Sequence, residues 1–328
     1  MALSSHRPVF VTREATPQKG AIHNKRLLLQ IAFFVLFILA PPLNIFRFDL
    51  YRNNLILFGQ DWDLGFTGFQ YGFTPSSEVI VNLIFKAFLP LATAGLLLIF
   101  VAWRWGRLYC GWLCPHFTMV ESLNRLMLHA TGKPTLWEKA PLPLQQPGGE
   151  TLRTSRLYWI PLLLLSVGMA FVWAVAILTY AIPPDVVYYN LLHWQLTLPQ
   201  FLFITVVTLV LALDFIFARH LFCRFGCSVG LIQGLAWMAN RSAMTIGFNR
   251  REAKDCHDCN NACDNICPMR LKPRTLKRKM FTCTQCGECI EACIQVEAQK
   301  GKPGLLKWVD GECASHKITG KDHGKDCF

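Results

Sequence analysis

Charge is scarce in this 328-residue chain. Asp, Glu, Lys and Arg make up 16% of it, against about 25% for an ordinary soluble domain. Acid is scarcer than base, 21 Asp+Glu against 33 Lys+Arg. With 52% hydrophobic residues, such a chain is not expected to fold as one soluble globule. Other absences exclude whole classes of function. There is no glycine-rich dinucleotide or flavin fingerprint and no hydrolytic constellation. No two His residues sit in facing apolar segments at a depth that would clasp a haem. The first 26 residues are polar and basic, without the apolar core and small-residue cleavage site of a secretory signal, so no cleaved leader is expected.

What is present begins with four apolar runs, roughly 27–46, 79–103, 157–182 and 201–218. Each is near the 20 or so residues that cross a bilayer. The plain alternative, core helices of a large soluble protein, fails because four such runs are too apolar for one domain of this size. Pro41-Pro42 is expected to end or kink the first. Lysine and arginine set the orientation. They crowd the amino-terminal tail, the segment 104–156 with seven, and the stretch from Arg219 onward with 18. The loop between the first two runs has only Arg47 and Arg52 beside four acids, and 183–200 has none. The reading is a multi-pass protein of the bacterial cytoplasmic membrane with both termini cytoplasmic. The net charge of +12 then reflects this bias and attraction to anionic lipid rather than a nucleic-acid partner.

Fourteen cysteines could suggest a secreted disulfide scaffold, but their spacing points to metal. Cys256, Cys259, Cys263 and Cys267 form one quartet, followed by Pro268, and Cys283, Cys286, Cys289 and Cys293 form another. In two-cluster ferredoxins the fourth Cys of each run ligates the other cluster. Cys256, Cys259, Cys263 and Cys293 are therefore expected to hold one [4Fe–4S] cluster, and Cys283, Cys286, Cys289 and Cys267 a second. Cys263 comes one residue later than the usual spacing, with Ala262 in the expected place. Structural zinc is the main alternative. The basic stretch from Arg270 to Lys279 reads as a surface loop or short helix that docks an acidic partner, lies on headgroups or is simply solvated.

A second set of thiols lies in an internal repeat. Arg107-Leu-Tyr-Cys110-Gly-Trp-Leu-Cys114-Pro115 follows the second apolar run, and His220-Leu-Phe-Cys223-Arg-Phe-Gly-Cys227 follows the fourth. Each is a two-span hairpin followed by an aromatic residue and Cys-x3-Cys, which suggests two repeats about an axis along the membrane normal. On a helix, such spacing puts both sulfurs on one face. If the repeats pack together, Cys110, Cys114, Cys223 and Cys227 could meet as redox thiols, a copper or zinc site, or the ligands of a third cluster. Buried cysteines filling small gaps are the plain alternative.

These motifs together resemble the NapH/MauN/CcoG group of membrane polyferredoxin-like proteins. Arg47-Phe-Asp-Leu-Tyr51, Asn54-Leu-Ile-Leu-Phe-Gly59 and the segment 133–144 with Glu138-Lys-Ala-Pro141 look closest to the CcoG (FixG/RdxA) cytochrome oxidase accessory branch. That resemblance implies an iron–sulfur protein that reduces Cu(II) to Cu(I) in support of cbb-type oxidase assembly. The NapH branch implies electron transfer from quinol towards a periplasmic reductase. A Cu(I) carrier or assembly factor is a further reading. The CcoG branch typically continues with another span and a sandwich-like domain beyond the clusters, where this sequence ends soon after Gly311, as in a shortened member or a sister subfamily with another acceptor.

The expected architecture is an α-helical integral membrane protein with a small α+β cytoplasmic domain of the two-cluster ferredoxin type. Residues 1–26 are a tail, 27–247 the membrane domain, 248–311 the ferredoxin-like domain and 312–328 a second tail. In that tail Cys313, His316, His323 and Cys327 could bind copper or zinc, a disordered tail being the alternative. Asp214, near the end of the fourth run, is expected to reach Arg219 or Arg224 rather than relay protons or meet a quinone. Lys86 is expected to snorkel outward. The expected partners are membrane lipid, a cytosolic or quinol electron donor, and copper or a redox protein as acceptor. A homodimer is compatible with the sequence.

Overall fold

The computed structural model describes residues 20–52, 54–143, 151–320 and 327. Four of its helices are long and apolar enough to cross a membrane: Ile22–Leu39, Ser76–Trp105, Arg156–Thr179 and Leu198–Ala218. The first belongs to α1 (Ala21–Leu39), which stops just before Pro41-Pro42, where proline supplies no N–H to continue the ladder. We label the second helix α2 (Ser76–Trp105). It contains a π-helical stretch at Leu83–Phe88.

A small antiparallel sheet was not foreseen. Phe46–Asp49 (β1), Asn54–Leu57 (β2) and Gln60–Trp62 (β3) pair in order between the first two apolar helices. The β2–β3 turn runs through Phe58 and Gly59, both at positive φ, as a tight hairpin requires. Arg47 and Asp49 are buried on one face and bond each other at 3.0 Å. Phe48 and Leu50 donate their N–H groups to the carbonyls of Tyr180 and Ala181, tying the sheet to the end of the third apolar helix. Lys86 extends toward the segment that follows β3 and donates to the carbonyl of Asp63.

Helix α3 (Pro115–Thr131) follows the first Cys-x3-Cys. The third apolar helix, α4 (Trp159–Thr179), packs closely on the fourth, α5 (Leu198–Ala218). Buried Ser166, Ala170 and Ala174 recur every four residues on α4, and such small side chains let helices approach. Helix α6 (Ser228–Ala239) follows the second Cys-x3-Cys. The two halves exchange their following helices: α3 packs on α4 of the second hairpin, and α6 packs on α2 of the first. Along α2 itself only Val79 and Ala102 are buried.

The ferredoxin-like part is framed by β4 (Thr245–Phe248) and β5 (Leu306–Val309), antiparallel, with Thr245 opposite Val309 and Phe248 opposite Leu306. All eight quartet cysteines lie between these strands. The expected domain boundary at 247/248 therefore falls inside β4. Helix α7 (Glu288–Ala298) carries Cys289 and Cys293. Helix α8 (Gly311–Thr319) packs on β4, so the described part of the second tail is structured.

Buried charge joins the two parts. Glu291 on α7 accepts from the backbone N–H groups of Ile22 and His23 at 2.7 and 3.1 Å, placing a carboxylate at the positive end of α1. Arg26 bridges Glu121 of α3 and Glu288 of α7 at 2.6 and 2.9 Å.

Candidate iron–sulfur site

The eight quartet cysteines line two cavities in the crossed pattern. Cys267, Cys283, Cys286 and Cys289 line one of about 360 Å³, together with Met269, Leu271 and Met280. Cys256, Cys259, Cys263 and Cys293 line the other, of about 290 Å³, with Phe248, Val296 and Leu306. We call these the proximal and distal cages, by their closeness to the apolar helices. The displaced register of Cys263 has a local cause. Asn260 and Asn261 both adopt the left-handed conformation, with φ of 48° and 56°, which asparagine tolerates better than most residues. They absorb the extra residue, and Cys263 reaches the distal cage from the short helix Ala262–Ile266.

The donor set fits a polynuclear cluster. Each cage offers four thiols, in largely apolar walls at the proximal cage and beside Arg274 and Glu297 at the distal one, yet among the described residues no group of three or more His, Cys, Asp or Glu side chains is set to hold a single metal ion. Zinc would need such convergence. Burial raises the Cys267 thiol to about 11 and the Cys283 and Cys286 thiols to about 12. Metal ligation ionises such thiols outright. Backbone N–H groups of Leu271 and Leu305 point at Cys267 Sγ and Cys293 Sγ at 3.4 and 3.3 Å, contacts of the kind that tune cluster potentials.

The second thiol set is built differently from a pair on one helix face. Cys110 lies on the short helix Leu108–Trp112, whereas Cys114 is the extended residue that caps α3 ahead of Pro115. Cys223 lies on a π turn, Phe222–Gly226, and Cys227 caps α6 in the same extended way. Each pair thus spans a break between helices. The four thiols lie within electrostatic reach of one another. Arg107, buried among them, donates to the carbonyl of Cys223 at 2.9 Å and lies 3.9 Å from Cys110 Sγ.

This set abuts the proximal cage. Cys114 and Cys223 pack with Cys267 and Cys283 around Phe117, Val120, Met269 and Leu271. Trp112 Nε1 donates to the carbonyl of Gln285 at 3.0 Å. Gly111 is essential to the fit, because a Cβ there would lie 2.2 Å from the carbonyl oxygen of Thr284.

Several side chains take other places than the sequence suggests. Asp214 faces His116, with Oδ2 and Nε2 3.2 Å apart, not an arginine. Arg219 turns back instead to the carbonyls of Phe215 and Pro134. The basic stretch after Cys267 is largely used internally: Arg270 pairs with Glu138, Arg274 with Asp264, and Lys277 is buried against the carbonyls of Trp237 and Asn240. Only Lys272, Arg278 and Lys279 of its basic residues are exposed. Cys313 and Cys327 are joined in a disulfide, which leaves neither as a thiolate ligand; His316 lies on α8 and His323 falls outside the described residues. The buried cations Arg26, Arg107 and Lys317 went unnoticed in the sequence. One signal was readable: a basic residue stands three positions before the first Cys of each repeat, Arg107 and His220, and both are buried.

Known proteins give the same picture. A family signature described as "4Fe-4S binding domain" matches twice, at residues 87–134 and 198–242, once on each copy of the repeat. A second, described as "4Fe-4S dicluster domain", matches 221–311. A protein named for electron transport, YccM of Escherichia coli (strain K12), is 27% identical over 56% of this chain and 48% of its own length. An uncharacterized protein of Methanocaldococcus jannaschii is 26% identical over 70% of this chain and 75% of its own. Protein RdxA of Cereibacter sphaeroides is 28% identical over 67% of this chain and 47% of its own. The match thus spans about half the length of YccM and of RdxA. No solved structure matches the chain. The two 4Fe-4S signatures and these relatives support an iron–sulfur electron-transfer protein similar to the membrane polyferredoxin-like group.

Proposed function

We propose that the distal and proximal cages each hold one [4Fe–4S] cluster, and that the four thiols at the membrane boundary pass electrons to Cu(II), yielding Cu(I) for cbb-type oxidase assembly. The carrying observation is that Cys114 and Cys223 share one apolar cluster with Cys267 and Cys283. When bound, the clusters supply one-electron transfer without bond changes. The residues of the chain hold and insulate them: apolar walls exclude water, and the Gly111–Thr284 contact keeps the route to the boundary thiols short. Thiolates favour Cu(I) over harder ions, and Arg107 balances their charge. Each Cu(II) takes up one electron and no proton is required.

The test uses full-length protein purified anaerobically, with iron and copper counted. About eight iron atoms per chain are expected for two clusters. Protein reduced with dithionite, then freed of excess reductant, should convert Cu(II) to Cu(I). Cys110→Ser and Cys223→Ser should stop that conversion while keeping the iron. Reduced protein that leaves Cu(II) unchanged removes the copper step. Copper bound without reduction indicates a carrier. About twelve iron atoms would assign a third cluster to the boundary thiols.

A second reading, a quinol-linked subunit of a larger redox complex, is favoured by the His116–Asp214 pair. It is surrounded by the rings of Trp173, Phe215 and Phe222, two residues beyond Cys114. An imidazole–carboxylate pair in an aromatic setting suits a ligand that sheds protons as it loses electrons. On this reading a short-chain quinol reduces the wild-type clusters but not those of His116→Phe. No cluster reduction by any quinol tried would remove it.

A further inference from the structure

The chain surrounds its two cages with different charge. Lys317, on α8, is buried and donates through Nζ to the carbonyl of Pro273 at 2.5 Å. Pro273 lines the proximal cage, and the ammonium acts most on Cys283 and Cys289 and least on Cys263 of the distal cage. Its described hydrogen bond goes to a neutral group. Arg107 is shared: it bonds the carbonyl of Cys223 and lies beside Cys110 Sγ among the boundary thiols, and its field also reaches Cys283. Arg26 acts on Cys286 too, but Glu121 and Glu288 offset its charge.

The distal cage has less of this surplus, since Lys317 reaches only Cys263 there. Arg274 lines it but is matched by Asp264 at 3.0 Å. Glu297 also lines it, 1% exposed. Its Oε1 meets Lys300 at 3.5 Å, while its Oε2 has no hydrogen-bond partner among the described residues. A reduced cluster carries one more negative charge than an oxidised one. Nearby cations therefore favour reduction and a buried carboxylate opposes it.

We infer, building on the two-cluster reading above, that these charges impose an order on the cages: the electron enters at the distal cage and settles at the proximal one, beside the boundary thiols. The exposed segment 251–254 leads into Cys256 of the distal cage, and three of the four distal thiols are half-buried against two of the four proximal ones, so the donor is assigned to that side. The donor class is a one-electron carrier such as a reduced ferredoxin- or flavodoxin-type protein. The internal step moves one electron and no atom. The content of the distal cage is oxidised by one electron, that of the proximal cage is reduced by one, and no bond or proton changes. Lys317 and Glu297 act as positioning charges and touch no substrate.

The experiment is a redox titration followed by EPR on the full-length protein in detergent, with Cys259→Ser identifying the distal signal. The proximal signal is expected at the higher potential by at least a tenfold occupancy ratio, about 59 mV for one electron. Lys317→Met should lower the proximal signal by more than the distal one, and so narrow the gap between them. Glu297→Gln, which keeps the shape of the side chain, should raise the distal signal alone, and serves as the independent arm where Lys317→Met loses its cluster. A gap below tenfold, the reverse order, or signals unmoved by these substitutions overturns the inference. A protein with no iron and no signal removes the two-cluster reading itself, a result distinct from two clusters in the wrong order.

Discussion

Gly111 lies where the first Cys-x3-Cys loop meets the carbonyl of Thr284, and no larger residue fits there. Gly111→Ala sets a Cβ against backbone, which cannot swing aside. We expect a loss of about 1–3 kcal/mol and faster bleaching of the cluster absorbance on warming. Gly95→Ala, with nothing within 4 Å, should change neither. A second test concerns Cys263. If the left-handed Asn260 and Asn261 deliver this thiol to the distal cage, Cys263→Ala lowers the iron count to about four per chain. The crossed ligand sets were legible because ligand spacing is a local property of the chain. Arg107, Arg26 and Lys317 were less so, since a buried cation looks like any other basic residue until its neighbours are known. The same is true of His116, whose partner Asp214 is 98 positions away in sequence, a difference of 214 and 116.

Among the elements, the junction of α1 with α7 is the clearest case of one unit completing another. Glu291 accepts from the first N–H groups of α1, and Glu291→Gln should cost about 1 kcal/mol. Arg26→Met should cost more, about 3–5 kcal/mol, because it strands Glu121 and Glu288 as buried charges without their counter-ion. Thermal melts in detergent, followed by tryptophan fluorescence, check both. Three of the long apolar helices were readable to within a few residues from composition alone; the first was not, since α1 runs Ala21–Leu39 and Phe46, expected at its end, lies in β1. The three-stranded sheet was not, although Phe46, Arg47, Phe48 and Asp49 alternate in burial. Strands of three or four residues carry too few alternations to stand out, and buried Arg47 and Asp49 reverse the usual polar-outward pattern. The break inside each Cys-x3-Cys was hidden for another reason: i,i+4 spacing suits a helix, yet in the first copy Pro115 starts a new helix at Cys114 instead of continuing the old one, and in the second, where Ser228 follows Cys227, no proline marks the break.

For the whole molecule, the Lys/Arg bias makes a prediction about sidedness. A reporter active only outside the cytoplasm should work when fused after Trp62 or Gln195 and fail after Gly132 or Gly320. Acid stability is also a global property. Burial, with Arg224 and Arg270 adding to it, lowers His220 from 6.5 to about 4. Its folded pKa lies below its unfolded one, so as pH falls from about 6.5 towards 4 the unfolded chain binds the proton first and the folded state loses stability. The loss reaches roughly 3 kcal/mol at its limit. His220→Gln should flatten that dependence in melts between pH 7 and pH 4. The repeat was legible as sequence, but the exchange of α3 and α6 between the two hairpins was not, because pairing between distant helices leaves no local periodicity.

That exchange has a consequence for synthesis at the ribosome. Helix α2 ends at Trp105, and the helix that packs on it, α6, begins at Ser228. At 5–20 residues per second, α2 waits roughly 6–25 s for its neighbour to be translated. Throughout that interval the face of α2 that meets α6 in the finished fold has no partner. The first half of this protein is thus born as an orphan that its second half must later adopt, and a message truncated before codon 228 would leave a hairpin with no partner of its own.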